Sequence, residues 1–162
     1  KMKFIPSPNF AKGRNGKGIT GIVLHMTESS SQSAINHFLN PASRVSAHYI
    51  VCEDGEIVQM VKDEDTAWHA GRVDRPSWKG LISGINPNLY TIGVETALLT
   101  TTSLPSWKQW MSLAKLVKDL SRKYSIPLDS FGIANHHEIF FPKTCPGWFA
   151  SRFYVLQLQK LL

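Results

Sequence analysis

Cysteine is scarce in this chain of 162 residues: Cys52 and Cys145 are its only two, far apart in the sequence. That excludes a disulfide-dense scaffold and leaves one bridge, free thiols or a metal ligand. No apolar run approaches the roughly 18 residues that a membrane span needs. At the start, Met2-Lys3-Phe4-Ile5-Pro6 brings in a proline before an apolar signal core forms, so we expect no export signal, with Met2 as the natural start. Internal repeats and low-complexity segments are absent. Acidic residues are few, 12 against 18 Lys and Arg; the resulting charge of +6 raises the question of a polyanionic partner without saying which. What is abundant is apolar residues, 43% of the chain, enough at this length for one domain with its own core.

The pattern along the chain alternates strands with helices. Residues 1–18 form a basic lead-in whose Asn9–Gly18 stretch reads as a solvated surface loop. Ile19–His25 reads as a buried, β-branched strand ending on a histidine. Ser29 to Ser31 offer N-caps for a helix whose apolar positions Ala34, Ile35, Phe38 and Leu39 share one face and which Pro41 closes. Ala47–Cys52 and Glu56–Val61 form a hairpin across Glu53-Asp54-Gly55. A loop rich in Trp, Gly, Pro and Asn follows over Trp68–Asn88, then a buried strand over Thr91–Glu95. Residues 106–124 carry the clearest helical stripe: Trp107, Trp110, Met111, Ala114, Val117, Leu120 and Tyr124. Phe131–Asn135 reads as a strand and Pro146–Leu162 as a terminal amphipathic helix. The expected fold is a single α/β domain with a central mixed β-sheet flanked by helices.

Three segments carry potential chemistry. His25 stands at the C-terminal end of a buried strand, where sheet side chains open into crevices. Asn135-His136-His137-Glu138 follows another strand end, and Lys143-Thr144-Cys145-Pro146 comes just after. Two imidazoles and one thiolate make the donor set of a catalytic zinc site with a fourth position open. The same residues also fit plainer roles: a hydrogen-bonded core histidine, a small buried thiol, or a Cys52–Cys145 bridge. Ligands so distant in sequence do not establish a metal site by spacing.

Taken in order, Leu24-His25-Met26-Thr27-Glu28, Val45-Ser46-Ala47-His48-Tyr49-Ile50-Val51 with Glu53-Asp54-Gly55-Glu56-Ile57, Ala67-Trp68-His69-Ala70-Gly71, Ile92-Gly93-Val94-Glu95, Asn135-His136-His137-Glu138 and Lys143-Thr144-Cys145-Pro146-Gly147 resemble the type-2 N-acetylmuramoyl-L-alanine amidases. That family includes phage endolysins and bacterial amidases and is related to the peptidoglycan recognition proteins. The motif-bearing region is 19–149. The resemblance implies zinc held by His25, His136 and Cys145, with His137 as the alternative to His136. It implies Glu95 as the group that takes the proton of the attacking water, and Lys143 as the charge beside the developing oxyanion. A tyrosine used by some phage members is replaced by Ala47; Tyr49, of the same strand parity, partly fills its place. His69, Thr27 and Trp68 are expected to line the substrate groove, His48 to be structural, and His37 merely exposed.

The implied reaction is zinc-dependent hydrolysis of the amide joining N-acetylmuramic acid to L-alanine in bacterial peptidoglycan, with wall lysis as its outcome. One alternative is a non-catalytic peptidoglycan-binding module, marked by loss of the thiolate or carboxylate ligand; Cys145 is present here. Another is a muropeptide-recycling amidase, against which the Trp78 loop and the basic lead-in favour a phage lysin. Nucleic-acid binding finds no recognisable reading helix. The expected protein is a monomer, made in the cytoplasm and acting on the anionic wall, with Lys12, Arg14 and Lys17 contributing to the attraction.

Overall fold

The computed structural model describes residues 2–162. In chain order its elements are β1 (Met2–Phe4), β2 (Phe10–Ala11), β3 (Gly21–Met26), α1 (Ser31–Leu39), β4 (Tyr49–Val51), β5 (Ile57–Gln59), β6 (Thr66–Ala67), β7 (Thr91–Thr96), α2 (Trp107–Tyr124), β8 (Ile133–Asn135) and α3 (Arg152–Leu158). Six strands form one sheet in the order β1-β5-β4-β7-β3-β8, and β2 pairs with β6. Strands β4, β7, β3 and β8 run parallel, as do β1 and β5, while β4 and β5 form an antiparallel hairpin. The sheet is mixed, as the sequence pattern implies.

Parity along the central strands sorts the core. Ile22, Leu24, Ile92, Val94, Tyr49, Val51 and Ile133 point to one face, where α2 supplies Leu113, Leu116, Val117 and Leu120 and α3 supplies Val155. Burying each such aliphatic side chain contributes about 1.5–3 kcal/mol. On the opposite face Ile50 packs against Ala34, Ile35 and Phe38 of α1, and Val23 and Ala134 pack against Trp78, Tyr90 and Ile139 from the loops. His25 shares parity with Val23, and Glu95 with Gly93, so both end their strands on this second face.

Capping explains where the helices start. Ser30 accepts from the Ser33 amide to open α1, and Ser106 accepts from the Gln109 amide to open α2. The hairpin turns on Gly55, whose φ of +86° suits glycine.

Five expectations need correction. The terminal helix is Arg152–Leu158 with a short 3₁₀ turn beyond it, so it does not begin at Pro146. Residues 146–151 turn instead, because Gly147 lies at φ +74° against the Thr101 backbone and Met26 as the chain leaves Cys145. Trp107 lies outside the core, 59% exposed, because the inward position near the start of α2 belongs to Gln109. The Gln109 amide donates to the carbonyls of Val51 and Ala97, which makes a polar residue the buried one. The strand placed at Phe131 starts at Ile133, with Phe131 exposed. Trp78 is a core residue stacked on Tyr90, so it is not itself available for wall contact. Arg14 in the lead-in is buried, its guanidinium donating to the carbonyls of Asp63, Asn88, Leu89 and Thr91; it ties the lead-in to these segments and is not a solvated charge.

Candidate active site

The parallel strands β3, β7 and β8 deliver their C-terminal ends to one crevice, which is where side chains of an open parallel sheet become accessible. A cavity of about 360 Å³ lies there, and its lining includes His25, His69, Glu95, His136, Lys143 and Cys145, with Thr27, Glu28 and Trp68 alongside. These residues come from five separate segments. Only the sheet brings them together.

His25 Nδ1 lies 3.1 Å from His136 Nδ1 and 3.9 Å from Cys145 Sγ. The three donor atoms all fall within 4.8 Å of one another, the arrangement of a metal-binding group. Tetrahedral zinc with nitrogen at ~2.0–2.1 Å and sulfur at ~2.3 Å separates its ligand atoms by about 3.3–3.6 Å, and the observed spacings bracket that range. The donor set therefore fits zinc.

Local structure fixes each donor. His136 opens a 3₁₀ turn (His136–Glu138) at the end of β8, and the turn is locked by Glu138, which accepts from the Asn135 amide at 2.7 Å and from both terminal nitrogens of Arg152 at 2.7 and 2.9 Å. This forked pair is largely buried. His137 is exposed, its backbone amide donating to the Cys145 carbonyl, so of the two adjacent histidines it is His136 that faces His25. The Cys145 sulfur accepts from the Met26 amide at 3.3 Å. Both cysteines are free, which removes the Cys52–Cys145 bridge.

The electrostatics describe a site poised for a cation. Burial, reinforced by His136, His69 and Lys143, holds His25 well below the ordinary histidine range. Burial, Lys143 and His137 bring His136 down to about 4. Burial also pushes the Cys145 thiol upward. By itself the trio is neutral, with two imidazole lone pairs free to bind. Glu95 is pushed up to about 8 by burial, with Lys143 pulling it back and Glu28 pushing further. One of its oxygens, Oε2, is buried without a hydrogen-bond partner. A carboxylate so placed costs free energy unless something in the cavity answers it.

The other expected residues fall as follows. His69 and Trp68 line the cavity, and His69 touches His25 as well. The Thr27 hydroxyl donates to the Ser29 carbonyl and faces the same space. His48 is structural: its Nδ1 accepts from the Gly93 amide and its Nε2 meets the Asp65 carbonyl. Tyr49 points to the far face, its hydroxyl donating to Asp63, and so does not fill the space beside Ala47. His37 is exposed, yet it lines the cavity together with Ser33 one helical turn earlier. That i,i+4 pair on the polar side of α1 is the signal by which sequence reading would have found this wall.

A family model described as N-acetylmuramoyl-L-alanine amidase matches residues 15–148. The N-acetylmuramoyl-L-alanine amidase A of Achromobacter lyticus is 36% identical over 90 residues, which cover 55% of this chain and 42% of that protein. The chain thus spans less than half the length of that curated relative. Among solved structures, a selenomethionine derivative of AmpD superposes with a TM-score of 0.76 at 26% identity, covering 96% of this chain and 93% of the other. The N-acetylmuramoyl-L-alanine amidase LysC from Clostridium intestinale URNW superposes with a TM-score of 0.71 at 18% identity, covering 100% and 98%.

Proposed function

The chain belongs to the N-acetylmuramoyl-L-alanine amidase family, and from that premise we propose that it hydrolyses the amide between N-acetylmuramic acid and L-alanine in bacterial peptidoglycan, using zinc held by His25, His136 and Cys145. The observation that carries this reading is the convergence of His25 Nδ1, His136 Nδ1 and Cys145 Sγ in one cavity beside the unpartnered carboxylate of Glu95. Zinc bound there supplies Lewis acidity, polarising the scissile carbonyl and lowering the pKa of water toward ~7.

The chain's own residues do the rest. Glu95 Oε2, lacking any protein partner, takes the proton of the attacking water and passes it to the leaving L-alanine nitrogen, a transfer worth ~10²–10⁴-fold in rate. Lys143, on the cavity rim, holds positive charge where the carbonyl oxygen becomes anionic. Trp68 and Thr27 line the groove that orients the glycan and stem peptide. Wall lysis by this reaction belongs to the proposal. The Trp78 and Arg14 side chains lend it nothing, being buried.

Purified peptidoglycan incubated with the zinc-loaded protein should release stem peptides with new free L-alanine amino groups, and a suspension of intact walls should clear. Pelleting with walls without amine release would favour a binding module. Amine release from soluble muropeptides alone would favour a recycling enzyme.

A further inference from the structure

We infer that His69 is a positioning residue for the metal-facing ring of His25. The inference rests on the reading above in one respect, that His25 binds zinc through Nδ1. That nitrogen faces His136 and Cys145, while the other ring nitrogen, Nε2, lies 3.1 Å from His69 Nδ1. A neutral imidazole that gives its Nδ1 lone pair to a cation carries its proton on Nε2. His25 Nε2–H is then the donor and His69 Nδ1 the acceptor.

The remaining protons follow without conflict. His69 must carry its own proton on Nε2, which stands 3.4 Å from Thr91 Oγ1. The Thr91 hydroxyl donates to the Pro87 carbonyl at 2.7 Å, so its lone pairs remain to accept. Donors and acceptors therefore run one way, from His25 through His69 and Thr91 to the backbone.

The fold holds the His69 ring in that orientation. A Cβ on Gly93 would come 2.5 Å from His69 Cγ, so the ring occupies the space that a side chain at Gly93 would take. The ring meets His25 edge-on, with centroids 5.2 Å apart at 90°, and meets His48 at 5.7 Å and 74° on its other side. The backbone amides of His69 and Ala70 both donate to Asn88 Oδ1. Groups that orient a ligand imidazole in this way typically change metal affinity by about 10–100-fold.

Zinc affinity by chelator competition and the visible spectrum of the cobalt-substituted protein test this in the wild type, His25→Ala, His69→Phe, His69→Asn and Thr91→Val. Asparagine sets its Oδ1 where the histidine has Nδ1 and keeps the acceptor; phenylalanine keeps the ring volume and loses it. We expect His69→Phe to bind zinc about 10–100-fold more weakly with an altered cobalt spectrum, and His69→Asn to retain most of the affinity. Thr91→Val, nearly isosteric, should fall between. Wild-type affinity and spectrum in His69→Phe, or tighter binding by Phe than by Asn, would show that the ring only fills space. Should His69→Phe fail to fold, unchanged affinity in Thr91→Val would overturn the chain of hydrogen bonds. Full zinc affinity in His25→Ala would instead remove the ligand assignment itself, a separate failure.

Discussion

His25 and Glu95 are register partners on the adjacent parallel strands β3 and β7, one residue before each strand ends, and they share the sheet face that opens into the cavity. The His25 imidazole and a buried carboxylate are thereby set side by side by backbone pairing, with no loop conformation to maintain.

Glu95→Gln should retain zinc and the fold while lowering the rate of amine release by ~10²–10⁴-fold. It should also change stability with a definite sign. In the metal-free protein Glu95 is raised to about 8, above the unfolded value of about 4.3. Its contribution is thus fully present below about pH 4.3 and is lost as pH rises to 8. Melting of the metal-free protein should show Glu95→Gln more stable than wild type at pH 8.5 and little different at pH 4.5. Equal differences at both pH values would refute the buried-carboxylate account.

Lys143 is exposed at the cavity rim, so Lys143→Ala should leave the melting temperature unchanged. If its charge meets the developing oxyanion, kcat should fall by ~10²–10³-fold with KM little altered. A loss confined to KM would assign Lys143 to ground-state binding of the substrate.

Arg14→Ala should destabilise the protein by about 3 kcal/mol or more, since it leaves four backbone carbonyls without their donor. Lys17→Ala, in the exposed part of the same segment, should be close to neutral. Denaturant unfolding of both variants checks the contrast; similar small effects would return Arg14 to the surface.

Asp63 should make the fold sensitive to acid. Burial alone would raise this carboxyl, but hydrogen bonds from Tyr124, Tyr49 and Lys123 outweigh it and hold it below the usual range. Its stabilisation is therefore fully present above about pH 3.9 and is lost as pH falls through its lower folded value. Asp63→Asn should be less stable than wild type at pH 7, and the gap should narrow toward pH 2. A gap independent of pH would show that the carboxylate charge is irrelevant.

Much of this was legible in the sequence because local chemistry announces it. Ser106 before a 3.6-period stripe located α2, and Asp54-Gly55 located the hairpin. The motifs around His25, Glu95, His136 and Cys145 named residues that the sheet does gather into one cavity. What stayed hidden depends on long-range polar partners. Gln109 stands outside the apolar stripe, and its burial follows only from the carbonyls of Val51 and Ala97, both distant in sequence. Arg14, among lysines and glycines, looked solvated because its acceptors lie roughly 50 to 80 residues further along. His69 had an evident place in the groove, but its contact with His25 Nε2 follows only from the fold.

The central claim is that His25, His136 and Cys145 together hold one zinc ion, and the most direct measurement is zinc stoichiometry in the purified wild type beside His136→Ala, Cys145→Ser and His137→Ala. The account predicts one zinc per chain in the wild type and in His137→Ala, with zinc lost from the other two. Full zinc in His136→Ala and Cys145→Ser would contradict it.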